Sequence, residues 1–537
     1  MRSISRALGC LFSVALFAAV SYGSTISGTV KGPDGAPFRG AFVQAQNKAN
    51  RIAVSVLTDK DGHYKVDGLG AGDFNVTVRA AGFKGDLHLV TLAADQSASQ
   101  NFALDKGMVR WQDLSLYQGI QLLPDAPGKA EWQGHCFNCH GFQSRMAAVV
   151  RDEDGWKDRV NFMRTTEHYF LTPGVTDEMG DHIAAYINSV FGKDSKLTRD
   201  PSTLPGYKDL VKTFPDDVMN IAYVEYDLPG PSRMPWNADP DKNGFIWMPY
   251  YGDNNKIGRL NPKTAKVDEF SVPAEMTAGI HSTYPAPDGS VWMGEQGTNR
   301  LGHWDPVTMK ITEYQDAYIP GKEYTTAGNS KHTVRVDGNG YVWATGGPLS
   351  RYDPKEGKFY DYKDEVGAAY GITVDKDGNV WFCAQGRSEI GEGDKNTGKV
   401  KVWKVPTDKS FPRRLAIDQD GIVWFGEYSA GKIGRFDPKT ETFKEYVLPG
   451  PGQTPYGIAI DKKGGVWFNS AETDVIEHLD PKTGEITQYP FDHAEITIRE
   501  MNVDPEGRIW YTSPANNKVG YFYLPGRPDL MTSKLPQ

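Results

Sequence analysis

One tryptophan position recurs seven times along the C-terminal three-fifths of the chain: Trp247, Trp292, Trp343, Trp381, Trp424, Trp467 and Trp510. The spacings are 45, 51, 38, 43, 43 and 43 residues. Each unit reads Asp-x-x-Gly-x-Val-Trp, a polar turn, Ile-Gly-Arg-x-Asp-Pro-x-Thr and a short Tyr-containing strand, with local departures. A period of about 40–50 residues carrying several short strands means a β-propeller. Seven markers predict seven blades over residues 221–525. Tyr223 to Pro229 matches the outer strand of later units, such as Tyr446 to Pro449, yet precedes the first marker. That order predicts that the early strand completes the last blade and removes an open edge. Asp375 to Gly378 and Asp418 to Gly421 look like calcium loops but lack Glu at position twelve, so they read as hairpin turns.

The repeat allows blades to be compared with one another. Eleven residues before each marker lie Trp236, His281, His332, Tyr370, Arg413, Tyr456 and Arg499. Three residues after it lie Tyr250, Glu295, Gly346, Ala384, Glu427, Ser470 and Ser513. If both registers face the channel, its mouth gathers two His, two Arg, two Glu and several aromatics. Two readings stand: a ligand site, or groups that pair with each other and with channel water. Cys383, two residues after Trp381, reads as small buried packing.

These units resemble the streptogramin (virginiamycin B) lyase propeller family, through Trp-Phe-x-Glu and Ile-Gly-Arg elements. The resemblance implies His281 and His332 at the family's catalytic His register, Glu295 and Glu427 at its Glu position, and a Mg²⁺ ion. The chain departs at Gly346 and Ser330, where carboxylates would hold the metal, so the fold transfers and lyase activity does not follow.

The 537-residue chain opens with Arg2 and Arg6, an apolar run Ala7 to Val20, and small residues Ser21 and Gly23. This reads as a cleavable signal peptide over 1–23, predicting a periplasmic or secreted protein. No later stretch is long and apolar enough to span a membrane, so the mature chain has no expected transmembrane segment. Net charge is −9, which argues against a nucleic-acid surface. Residues 24–105 alternate in short runs (Thr25 to Val30, Ala41 to Ala45, Phe74 to Val78) between turns such as Gly32 to Gly35. Gly28-x-Val30, Gly40-Ala41-x-Val43, Thr58-Asp59-x-x-Gly62-x-Tyr64 and Ala80-Ala81-Gly82-Phe83 resemble the carboxypeptidase regulatory-like (prealbumin-like) β-sandwich, which implies a structural or docking module.

Between sandwich and propeller the pattern turns helical. His135-Cys136-Phe137-Asn138-Cys139-His140 contains C-x-x-C-H. Two thiols at this spacing can each bond a haem vinyl group, and the adjacent imidazole can ligate iron. One haem c is expected, on Cys136 and Cys139, with His140 proximal. A thioredoxin-like pair lacks its βαβ context, and a zinc site lacks a second Cys pair. Trp156, Val160 and Met163 share one helix face, and a second helix begins near Thr176 with a stripe of Met179, Ile183, Tyr186, Ile187 and Val190. Residues 110–195 resemble a small monohaem cytochrome c. Met163 is the first choice for distal iron ligand; Met179, Met146, His168 and His182 are alternatives.

The expected fold is mainly β and multidomain: sandwich 24–105, all-α cytochrome c domain 106–200, linker 201–220, seven-bladed propeller 221–525 and tail 526–537. Three functions compete. The first is an exported electron-transfer protein whose propeller binds a small molecule or redox partner, with Trp236, Tyr370, Arg413, Glu427, Tyr456 and Arg499 as channel contacts. The second is an oxidoreductase whose channel passes electrons to the haem. The third is a Mg²⁺-dependent carbon–oxygen lyase using His281, His332 and Glu295; a redox-neutral elimination has no use for a haem.

Overall fold

A computed structural model describes residues 23–137, 140–167, 174–252, 254–315 and 330–531. Residues 1–22, Cys139, His168 and residues 532–537 lie outside the described residues.

The N-terminal module comprises β1 (Ser24–Lys31), β2 (Phe42–Asn47), β3 (Ala53–Leu57), β4 (His63–Leu69), β5 (Gly72–Arg79), β6 (Asp86–Leu92), β7 (Ser97–Ser99) and β8 (Phe102–Ala103). One sheet runs β4-β1-β7 with β8 also on β1; the other runs β3-β2-β5-β6. Alternate residues, among them Ile26, Val43, Ala45, Val66, Val76 and Val78, are fully buried between them. Asp59 and Asp61 form a turn: Asp59 Oδ1 accepts the backbone N–H of Asp61 (3.0 Å) and of His63 (2.8 Å).

The middle segment is helical: α1 (Leu116–Leu122), α2 (Lys129–Cys136), α3 (Glu153–Phe162) and α4 (Asp177–Phe191). Each of three helices starts where a short polar side chain satisfies an orphan N–H. Ser115 accepts from Gln118 N (3.2 Å), Asp152 from Gly155 N (3.0 Å) and Thr176 from Met179 N (3.2 Å). The apolar stripe of α4 (Ile183, Tyr186, Ile187, Val190) packs with Trp132, Phe142 and Trp156 into one core. Among the described residues no helix is long and apolar enough to cross a membrane.

The rest is a propeller. Six four-stranded antiparallel sheets run from Asp239–Pro240 to Ile486–Pro490. A seventh joins Asn502–Val503, Ile509–Ser513 and Lys518–Tyr523 to β9 (Ala222–Asp227), so the first strand of this region closes the last blade. β9 does not end the sheet: its other edge pairs with β3, Val54 opposite Val224, and eight strands run continuously through two modules. The open edges of both modules thereby satisfy each other's backbone groups.

The marker tryptophans are buried, and six share one hydrogen bond. The Asp six residues earlier accepts from the indole Nε1, at 3.0 Å for Asp241–Trp247, 2.9 Å for Asp418–Trp424 and 2.8 Å for Asp504–Trp510, for example. The same carboxylate caps the hairpin turn, as Asp418 Oδ1 does for Asp420 N and Ile422 N (both 3.0 Å). In the second blade Ala286 stands at that place, and Trp292 leans on His303 instead. Asp418→Ala is expected to lower stability by about 1–3 kcal/mol, the cost of stranding buried donors. Urea unfolding monitored by tryptophan fluorescence checks this, and an unchanged midpoint would contradict it.

Candidate functional site

The seven residues eleven before each marker form a closed ring. Centroid separations are 5.7 Å for Trp236–His281, 3.3 Å for His281–His332 and 4.3 Å for His332–Tyr370. The guanidinium of Arg413 lies 5.0 Å from the rings of both Tyr370 and Tyr456. That of Arg499 lies 4.9 Å from Tyr456 and 5.1 Å from Trp236, which closes the circle. Trp236 Nε1 donates to His281 Nε2 (2.6 Å), and Arg413 donates to the Tyr456 hydroxyl (3.0 Å).

Backbone irregularity aims these side chains inward. Pairing of the inner strand slips between Ile280 and Ser282, between Pro412 and Leu415, and between Pro455 and Ile458. His281, Arg413 and Tyr456 fall inside those three slips. A bulge inserts an extra residue and turns its side chain out of the regular alternation, here toward the channel.

Beneath the ring lies a second charged layer. Glu500 ion-pairs with both Arg335 and Arg414 (3.5 Å for Arg414), and Arg414 also donates to Thr333 Oγ1 (2.8 Å). Asp239 is deeply buried, and that burial outweighs Arg335 to push its carboxyl up to about 8. Burial first, then the neighbouring cations, push His281 and His332 well below the usual imidazole range, so both are neutral. Burial works to raise the Tyr456 phenol, yet Arg413, Arg499 and Arg414 together bring it down to about 7. The assembly is an electropositive, aromatic mouth.

The register three after each marker behaves differently. Glu295 and Glu427 are fully buried within their blades, and none of their hydrogen bonds reaches the ring. Glu295 Oε2 accepts from Thr298 Oγ1 (2.6 Å), and burial with Glu313 nearby pushes Glu295 up to about 8. Glu427, buried near Glu445, is likewise raised to about 8. The condition that both registers face the channel is met by the ring register, while Glu295 and Glu427 sit within their blades. A residue at the end of the second strand faces the neighbouring strands, as Glu295 does opposite Ile280. Among the described residues, the two groupings of His and carboxylates close enough to share an ion contain none of His281, His332 or Glu295. Mg²⁺ takes several carboxylate and water oxygens in near-octahedral geometry, and these residues do not converge into such a set. Cys383 is fully buried and its thiol raised by that burial, as inert packing requires.

A second site lies in the helical segment. His135, Cys136, His140, Met146, Trp156, Val160, Met163, Ile183 and Ile187 line one partly open pocket with Arg145, Arg159, Arg164 and Val175. The lining carries three arginines and, among the described residues, no carboxylate. His140 is buried and donates Nδ1–H to the Gly141 carbonyl (2.6 Å). Trp156 Nε1 is buried without a hydrogen-bond partner among the described residues. Met179 is not in the lining, and His182 stands at the surface 3.6 Å from Glu131. Two segments beside the cavity, Gln143–Ala147 and Met163–Glu167, are π-helical, a local widening often found at functional sites.

The two sites are joined. Ser144 N donates to Glu495 Oε2 (2.8 Å), and His140 Nδ1 lies 3.9 Å from Glu495 Oε1. Glu495 precedes the ring residue Arg499 by four positions. Tyr117 N also donates to the Glu472 carbonyl (2.8 Å), and Glu472 accepts from Tyr428 beside Arg413 (3.3 Å). None of Glu472, Glu495, Glu500, Arg335 or Arg414 was legible as a site residue. The doublets Arg413-Arg414 and Arg499-Glu500 were the one signal available.

Residues 25–105 match the model of the carboxypeptidase regulatory-like domain, and residues 358–536 that of the virginiamycin B lyase family. Among solved structures the chain is similar to a streptogramin B lyase, at 24% identity and TM-score 0.50, covering 58% of this chain and 100% of that one. It is also similar to the selenomethionine-substituted virginiamycin B lyase of Staphylococcus aureus, at 23% identity and TM-score 0.51, covering 57% and 99%. No curated protein sequence matches. The class is therefore a mainly β, multidomain chain with a regulatory-like sandwich and a lyase-type propeller fold. At this identity the likeness is one of fold, and fold does not carry chemistry.

Proposed function

We propose that the chain is an exported c-type haem protein that transfers electrons, its propeller receiving a small molecule or redox partner. The observation that supports this is the cavity built around Cys136 and His140. In this reading Cys136 and Cys139 carry the haem covalently, His140 is its proximal ligand and Met163 its distal one. When bound, the haem supplies reversible one-electron exchange. The protein's share is orientation and electrostatics. The Gly141 carbonyl fixes the His140 tautomer, leaving Nε2 as the ligating nitrogen. Arg145 and Arg159 bring positive charge to the lining, where it would suit propionates, Arg164 is ion-paired with Asp177, and Trp156 Nε1 is a buried donor. The signal-like segment 1–23 supports export, which haem attachment of this type accompanies.

A specific observation favours a second reading, an oxidoreductase whose channel feeds the haem: Glu495 bridges the motif loop and the ring strand. The lyase reading has no such support, because its carboxylates are buried away from the two histidines.

The test is expression in a host that matures c-type cytochromes. Reduced-minus-oxidised spectra should show low-spin haem, and acid–acetone extraction should leave the colour on the protein. Extractable haem, or none, would falsify the proposal.

A further inference from the structure

Arg413 differs from the guanidiniums beneath it. Arg335 and Arg414 share Glu500, whereas among the described residues no carboxylate lies within ion-pair distance of Arg413. Its hydrogen bonds go to phenols, Tyr456 at 3.0 Å and Tyr370 at 3.3 Å, and its buried Nε has no hydrogen-bond partner among the described residues. Four rings surround the guanidinium: Tyr428 at 4.2 Å, Tyr370 and Tyr456 at 5.0 Å, Phe411 at 5.9 Å. A planar cation stacked this way keeps its in-plane N–H edge for a planar anion.

The backbone beside it is unusual. Phe411 takes φ 56° and Lys409 φ 52°, left-handed values that a bulky aromatic rarely adopts. Ser410 between them is tied to Ser388 Oγ (3.1 Å), and the Phe411 carbonyl accepts from Tyr428 N (3.3 Å). The result holds a phenyl ring 36% exposed at the mouth, where burial would otherwise be favoured. Strain of this kind persists where surrounding structure enforces it, and it clusters at ligand clamps.

We propose that the channel mouth at Arg413 binds a small aromatic acid as its carboxylate, held on the guanidinium with its ring against Phe411 and Tyr428. A guanidinium with no carboxylate partner among the described residues matches a monoanion, in bidentate geometry. The exposed phenyl and the stacked phenols match an aromatic body better than a bare oxyanion. The lowered Tyr456 phenol is what an uncompensated cluster of cations imposes on the nearest acid. The site stands independently of the haem.

Isothermal titration of the full-length holoprotein with benzoate, acetate and inorganic phosphate tests this. Benzoate should bind at least tenfold more tightly than acetate, and phosphate more weakly than benzoate. Arg413→Gln should weaken benzoate at least tenfold, with Arg413→Lys intermediate. Phe411→Ala, at an exposed position that threatens the fold least, should weaken benzoate and leave acetate unchanged. Absence of benzoate binding, acetate or phosphate binding as tightly, or Phe411→Ala binding benzoate like the parent overturns the proposal.

Discussion

Met163→Ala should convert a six-coordinate, low-spin haem into a largely high-spin one and lower its potential, whereas Met146→Ala should leave the spectrum intact. Both thioethers line the cavity, so the lining alone does not choose between them. Chain position does. Met146 follows His140 by six residues in the π turn Gln143–Ala147, on the stretch leading away from the proximal ligand. Met163 comes from α3, a separate helix, with Trp156 and Val160 on the same cavity-facing stripe. It also sits where α3 gives way to the π segment Met163–Glu167, its N–H shared between the carbonyls of Arg159 and Val160. That widened turn displaces the side chain from the regular ladder, as functional residues often require. A thioether raises haem potential relative to imidazole or an open position, so its loss should show in a redox titration as well as in absorption. A spectrum of the reduced protein unaltered by Met163→Ala removes Met163 from the iron; a change with Met146→Ala transfers the role.

What the sequence carries well is whatever repeats or sits next to itself. The tryptophans recur because each blade buries the same indole, in six of the seven on the same Asp-capped turn, so one local rule is written along the chain. The ring residues could be lined up by counting back from Trp247 to Trp510 for the same reason. Their inward aim could not be read, since it depends on strand slips at His281, Arg413 and Tyr456 that no pattern of apolar residues encodes. Glu295 shows the converse failure: a shared register places residues equivalently without saying which face they take. Contacts between modules were equally hidden. Val54 opposite Val224, or Ser144 N on Glu495, joins segments separated by more than a hundred residues, with no local signature at either end.

The seam between sandwich and propeller carries the largest expected stability effect. Glu225 on β9 is buried, with His493 Nε2 at 2.9 Å, Tyr511 Oη at 3.2 Å and Lys518 Nζ at 3.5 Å. Asp492 adjoins it, accepting from Ser55 (2.7 Å) and Arg79 (3.1 Å) of the sandwich. Burial opposes ionisation of Glu225, but Lys518 and His493 outweigh it and hold the carboxyl well below its usual range. Burial likewise opposes the charged form of His493, and Glu225 with Asp492 outweighs that too, raising its pKa. Glu225→Gln keeps the volume and removes one of two carboxylates from each cation, leaving Lys518 with Asp227 (2.9 Å) and His493 with Asp492 (3.3 Å), at an expected cost of about 3 kcal/mol. The penalty should vary with pH in a defined direction. The Glu225 contribution is present above its unfolded value of 4.5 and fades as pH falls toward its depressed folded value. The His493 contribution is full below its unfolded value of 6.5 and is lost as pH rises through its raised folded value. Urea midpoints of parent and variant should therefore differ most between about pH 5 and 6.5, converge as pH falls toward the depressed Glu225 value, and narrow only in part at higher pH, where Lys518 still faces Glu225. A difference under 1 kcal/mol there, or one flat with pH, would mean that strand pairing and apolar packing hold the seam without these charges.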